Sequence, residues 1–137
     1  MKSFIDTNVL IYWLDEGERA DQVEALLADE AVISVQVLNE FANVLRKKRN
    51  AAVSLIQQLV GVLLETCTVS DLTVRIHVGA IELVQRYGFS VYDANILAAA
   101  AEMGCALVYS EDMQHGMSVK MPKSLGGGAL SIKNPFK

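Results

Sequence analysis

Ser3-Phe4-Ile5-Asp6-Thr7-Asn8-Val9-Leu10 sets a short apolar run, then an acid, then apolar residues at helical spacing that continue to Trp13 and Leu14. A buried strand that gives way to a helix at Asp6 accounts for that order. Three other acids have comparable settings: Glu40 in Leu38-Asn39-Glu40-Phe41, Asp93 in Val91-Tyr92-Asp93-Ala94-Asn95, and Asp112 in Tyr109-Ser110-Glu111-Asp112. Carboxylates folded close together without a counter-charge raise one another's pKa and cost stability. A converging set is best explained by a bound divalent cation, which points to metal-dependent chemistry on phosphate esters.

The rest of the chain alternates in the same way. A helix holding Val23, Leu26 and Leu27 precedes a second strand, Ala31-Val32-Ile33, and Ser34 is placed to cap the next helix. That helix buries Val37, Leu38, Phe41, Val44 and Leu45 along one face. Another helix is expected from about Ala51 to Leu64, followed by a third strand at Cys67-Thr68-Val69. Ser70 is expected to cap a helix with Leu72, Ile76, Ala80, Leu83 and Tyr87 inward, stopped by Gly88. Ser90 caps a further helix to Gly104, ahead of a fourth strand, Ala106-Leu107-Val108-Tyr109. After the Gly126-Gly127-Gly128 turn, Ala129-Leu130-Ser131-Ile132 reads as a last short strand.

Strands alternating with helices imply right-handed crossovers and a mostly parallel central sheet covered on both faces, an α/β chain built as a three-layer α/β/α sandwich. The 137 residues suit a single domain, 1–137, around one core. In such sheets the working groups gather at the carboxyl ends of the strands, where strand order reverses. Asp6 follows strand one and Asp112 follows strand four. Glu40 lies in the helix after strand two, and Asp93 opens the helix before strand four, so all four can reach one edge.

Each acid also has a plain structural alternative. Asp6 suits a helix N-cap, and Ser90-x-x-Asp93 suits a capping box. Glu40, in mid-helix beside the apolar stripe, suits a solvated surface position. Asp112 stands in a loop beside Glu111, and either can face the site, with Asp112 preferred. Oxygen-only ligands favour Mg²⁺ or Mn²⁺ over zinc. Thr7, Asn8, Asn95 and Ser110 are placed to orient the ligands or their waters.

Composition narrows the classes further. An apolar content of 52% with two prolines describes a compact chain rather than a disordered one. No apolar run is long enough to cross a bilayer, and the chain is read as starting on a strand without a signal peptide. Cys67 and Cys105 lack metal-ligand spacing and read as reduced core thiols of a cytoplasmic protein. His77 and His115 are too scattered for zinc. The net charge of −4 hides a strong asymmetry. Seven acids fall between Asp15 and Glu30, whereas Arg46, Lys47, Lys48 and Arg49 are consecutive and no acid follows Asp112. The basic run suits either the phosphate backbone of RNA or a helix end complementing its dipole.

Phe4 to Leu10, Ser34-Val35-Gln36-Val37-Leu38-Asn39-Glu40-Phe41, Tyr92 to Ala100, Tyr109 to Gly116 and the closing Asn134-Pro135-Phe136 resemble the PIN-domain nucleases in order and spacing. The nearest resemblance is to the VapC-like ribonuclease toxins of type II toxin–antitoxin pairs. It implies a PIN-like fold, Mg²⁺- or Mn²⁺-dependent hydrolysis of RNA phosphodiesters, and an antitoxin partner. It carries ligand roles onto Asp6, Glu40 and Asp93, and less securely onto Asp112, because the fourth acid varies in the family. The acidic segment Asp15 to Glu30, with Trp13 beside it, is expected to offer a groove for an antitoxin helix or for a second copy in a homodimer. Two rivals stand beside this reading. A receiver-type phospho-acceptor domain needs paired acids after strand one, yet Thr7 follows Asp6. A catalytically silent PIN-like binding domain is the other, and retention of all four acids weighs against it.

Overall fold

The computed structural model describes all 137 residues, Met1–Lys137. Its strands are β1 (Ser3–Ile5), β2 (Ala31–Ser34), β3 (Thr68–Ser70), β4 (Leu107–Tyr109), β5 (Ser118–Lys120) and β6 (Ala129–Lys133). They form one sheet in the order β3-β2-β1-β4-β6-β5, parallel throughout except where β5 runs antiparallel to β6. β1 and β2 are buried along their whole length, as strands covered on both faces must be. β6 alternates instead, with Leu130 and Ile132 inward.

The helices are α1 (Thr7–Leu10), α2 (Glu18–Leu27), α3 (Val35–Lys47), α4 (Val53–Thr66), α5 (Val74–Tyr87) and α6 (Val91–Glu102). α3 packs on α1 and α4, while α5 and α6 pack as a pair; with the sheet these make the expected three-layer α/β/α arrangement. The core is a cluster of 31 buried apolar residues that includes Phe4, Ile5, Phe41, Leu97 and Ile132. Cys67 and Cys105 belong to it as free thiols, and burial pushes both up to about 11, leaving them unreactive at neutral pH. No helix is long and apolar enough to cross a membrane.

Local chemistry sets the helix ends. Ser34 Oγ accepts from Val37 N, and Ser90 Oγ accepts from Asp93 N, as read from sequence. Gly88 closes α5 in the left-handed region, at φ 76°. The N-cap of α5 corrects the sequence reading. Thr73 Oγ1 accepts from Ile76 N, whereas Ser70 donates to the Asp71 carbonyl. Leu72 is therefore outside the helix and exposed. The helix expected through Leu14 divides into α1 and a tighter 3₁₀ turn, Ile11–Leu14. β5 was not expected, because Val119 is its only buried residue and one residue makes no pattern. Gly79, a poor helix former in mid-α5, has a packing reason: a Cβ there would collide with the buried Leu125 side chain.

The topology places the site. β1 pairs with β2 on one side and β4 on the other, so strand order reverses at β1. A receiver of flavodoxin-like topology orders its strands 2-1-3-4-5, and this chain does not.

Candidate active site

Asp6 stands at the carboxyl end of β1 and caps α1. Its Oδ1 accepts from Thr7 N at 2.7 Å; its Oδ2 accepts from Ser110 Oγ at 3.0 Å and Asn8 Nδ2 at 3.2 Å. Ser110 follows β4, so this bond ties the two strands at the point of reversal. Glu40 arrives from α3. Its Oε2 accepts from Thr7 Oγ1 at 2.8 Å and its Oε1 from Gln36 Nε2 at 2.9 Å. Thr7 therefore holds both carboxylates, one through its backbone and one through its hydroxyl. Every donor to this pair is neutral.

That neutrality has an electrostatic consequence. Burial pushes the Asp6 carboxyl up to about 6 despite the opposing pull of Ser110 and Thr7, and the charges of Glu40 and Asp93 push the same way. Asp93, in the first turn of α6, is raised chiefly by burial and then by the charges of Asp112 and Glu40. These effects link the four acids electrostatically.

All four line one cavity of about 860 Å³, together with Glu111. No three acid, histidine or cysteine side chains stand close enough together to hold one ion directly. The donor set nevertheless suits a hard divalent cation: carboxylate oxygens, a buried acid short of counter-charge, and neutral donors that leave the charge uncompensated. Mg²⁺ characteristically keeps several waters and takes only one or two carboxylates.

Glu111 and Asp112 diverge. Glu111 N donates to Asn8 Oδ1 at 2.9 Å, and its Oε1 accepts from Tyr12 Oη at 3.1 Å. Arg19 Nη1 donates to the same phenol at 2.9 Å, and its guanidinium lies over the rings of Tyr12 and Phe136. The other oxygen, Oε2, is buried and has no partner. Asp112 is exposed, and its charge reaches Asp93.

Of the other residues expected from sequence, Thr7, Asn8 and Ser110 contact the carboxylates as described. Asn95 does not: its Nδ2 donates to the Val91 carbonyl of its own helix, and it lines a neighbouring hollow. The basic run also divides. Lys48 and Arg49 line the cavity, whereas Arg46 and Lys47 are exposed in the last turn of α3 and do not. Arg49 is held by Asp15 at 2.9 Å. Gln36 was not singled out from sequence, although its place one helical turn before Glu40 was available as a signal. The expected groove on α2 is closed, because Val23 and Leu27 are buried in the chain's own core. Trp13, Leu14, Leu45, Ala51, Leu55 and Leu59 instead line a separate apolar hollow of about 380 Å³.

A family model for the PIN domain matches residues 3–116. Among solved structures, DNA-bound VapBC from Salmonella typhimurium aligns with a TM-score of 0.69 at 18% identity, covering 98% of each chain. FitAcB from Neisseria gonorrhoeae aligns at 0.66 and 18% identity, again over 98% of each. VapC20 of Mycobacterium tuberculosis, described as a Sarcin-Ricin loop cleaving toxin, aligns at 0.66 and 21% identity, over 81% of this chain and 90% of that one. At such identities the likeness is one of fold. A search of curated proteins finds no match.

Proposed function

This chain belongs to the PIN domain family, and on that premise we propose that it is a divalent-metal-dependent endoribonuclease, the toxin of a toxin–antitoxin pair. The observation that carries the reading is the convergence of Asp6, Glu40, Asp93 and Asp112 on one cavity, with only neutral donors on the two innermost. Mg²⁺ or Mn²⁺ would be held among these four, directly by one or two of the carboxylates and through its waters by the rest, and when bound it supplies a Lewis acid for the phosphoryl oxygen and a water acidified toward neutrality. Ser110, Asn8 and Thr7 fix the Asp6 and Glu40 oxygens so that their orientation precedes binding. Lys48 and Arg49 meet the phosphate backbone at the end of the cavity formed by α3.

The partner follows from likeness too. One structural neighbour, from Klebsiella pneumoniae, is described as a toxin–antitoxin complex, and two others as VapBC bound to DNA. The apolar hollow beside Trp13 takes the place of the α2 groove as the seat for an antitoxin helix. A homodimer belongs to the same reading, with Val78 and Ile81 exposed on α5 as its apolar face.

The test is cleavage of RNA by purified chain freed of any inhibitor. Cleavage should need Mg²⁺ or Mn²⁺ and stop in EDTA. Cleavage undiminished by EDTA would overturn the metal mechanism, and no cleavage of any RNA would leave a silent binding domain.

A further inference from the structure

Gln36, Glu40, Val44 and Lys48 all line the cavity, and they form one i, i+4 row of α3 and its C-cap. Twelve residues of helix make that row about 18 Å long. Lys48 marks one end. At the other end Gln36 Nε2 donates to Glu40 and, at 3.2 Å, to the backbone carbonyl of Tyr92. Glu40 lies between, linked through Thr7 to Asp6.

Two tyrosines line this cavity, and their rings differ. Tyr12 has Phe136 edge-on at 4.9 Å and the Arg19 guanidinium over its face. Tyr92 is 71% exposed, and neither an aromatic ring nor a guanidinium covers it. Its backbone is nevertheless held, since it sits in the first turn of α6 beside Asp93 and its carbonyl is tied to Glu40 through Gln36. Beside the ring is a hollow of about 380 Å³ lined in part by Leu72, His77 and Val91.

We propose that Tyr92 is the base-stacking residue of this site, seating the nucleobase next to the cleaved phosphate against its ring and into the hollow. The proposal rests on the ribonuclease reading. A single strand laid along α3 then meets the Lys48 cation at one end, Glu40 and Asp6 in the middle and an open aromatic face beside Asp93 at the other. Stacking on an exposed ring tolerates any base and orders the strand without reading its sequence. The open ring, continuous with the catalytic cavity, favours this occupant over a second copy of the chain.

The experiment uses the Asp6→Asn protein as a non-cleaving trap, with Mg²⁺ and a pool of single-stranded RNA of randomised sequence. Tyr92→Phe should bind as tightly as the trap itself, whereas Tyr92→Ala should weaken binding about tenfold. Tyr92→Trp should bind, and its emission above the Trp13 background should be quenched by RNA. In otherwise unaltered protein, Tyr92→Ala should raise KM more than it lowers kcat. Unchanged affinity in Tyr92→Ala, with RNA cleavage intact, overturns the stacking role and leaves the ribonuclease standing. A change in sedimentation of Tyr92→Ala without RNA assigns the ring to self-association and overturns the role equally. No RNA bound by the trap and none cleaved by the unaltered protein overturns both.

Discussion

The floor and the rim of the cavity are built in opposite ways. On the floor, Asp6 is buried and Glu40 half-buried, and each has its oxygens fixed by named donors. On the rim, Asp112 is exposed, and the Asp93 side chain makes no bond to another element. The floor holds charge in a set geometry at a cost in stability, while the rim acids carry no such hydrogen bonds. A site that binds a hydrated cation and a polyanion in turn is served by both: acids with fixed oxygens to define the centre and unrestrained ones at its edge.

The largest expected effect comes from the floor. Asp6→Asn keeps the shape and removes the innermost charge, so cleavage should fall to background while the fold persists, checked by single-turnover assay and circular dichroism. Asp93→Asn should also abolish cleavage. If Asp6→Asn turns over like the unaltered protein, the floor is not the centre and the contrast collapses.

Next come the residues that hold the floor. Thr7→Val and Ser110→Ala should each lower Mn²⁺ affinity or cleavage by about 10- to 100-fold, because each removes a hydroxyl donor from a carboxylate oxygen. Calorimetric Mn²⁺ titration is the direct check. Asp112→Asn on the rim should also weaken Mn²⁺ binding, whereas Glu111→Gln should chiefly loosen Tyr12 and Arg19. The reverse outcome would move the fourth ligand to Glu111.

Acidity provides a third contrast. The Asp6 carboxyl titrates at about 6 when folded, above its ordinary value of 3.8. The folded state therefore binds its proton more tightly than the unfolded state does. In metal-free protein the stability linked to Asp6 is fully present below about pH 4 and is lost as pH rises to about 6. The loss is on the order of 2–3 kcal/mol at most. Melting temperatures in EDTA across that range should show the slope, and Asp6→Asn should flatten it. A flat profile in the unaltered protein would mean that the floor carries no such cost.

The smallest effect lies at the α3 end. Lys48→Ala should flatten the salt dependence of RNA binding by about 0.7 in the log–log slope for a lost single-strand contact. Lys47→Ala, a residue that does not line the cavity, should change it less. Equal slopes for both would mean that the run acts as diffuse charge.

How far the sequence could be read follows the same division. The positions of Asp6 and Asp93 were legible because strand ends and helix starts leave local patterns, and that of Glu40 because it flanks the apolar stripe of its helix. Their hydrogen-bonding was partly legible, since Thr7, Asn8 and Ser110 adjoin the strand ends themselves. Asn95 misled because an amide in a helix can return to its own backbone four residues back. Lys47 and Lys48 are neighbours in sequence, and which one faces the cavity depends on how α3 is rolled against the sheet. The α2 groove failed for a similar reason: an amphipathic pattern shows that a face is apolar but not whether the fold already covers it. Tyr92 carried no signal of its own, because openness of a ring belongs to the assembled surface.

The hydrogen bond between Asp6 and Ser110 joins residues 104 positions apart. A ribosome that has made two-thirds of this chain has made the first acid and the second, but nothing to bind Asp6 from the far side and no β4 to pair with β1. Contacts of such long range form late and slowly. Until β4 is made, Asp6 lacks both the Ser110 hydroxyl and the strand that walls its far side. A truncated product lacking β4 should therefore lack the assembled carboxylate centre altogether.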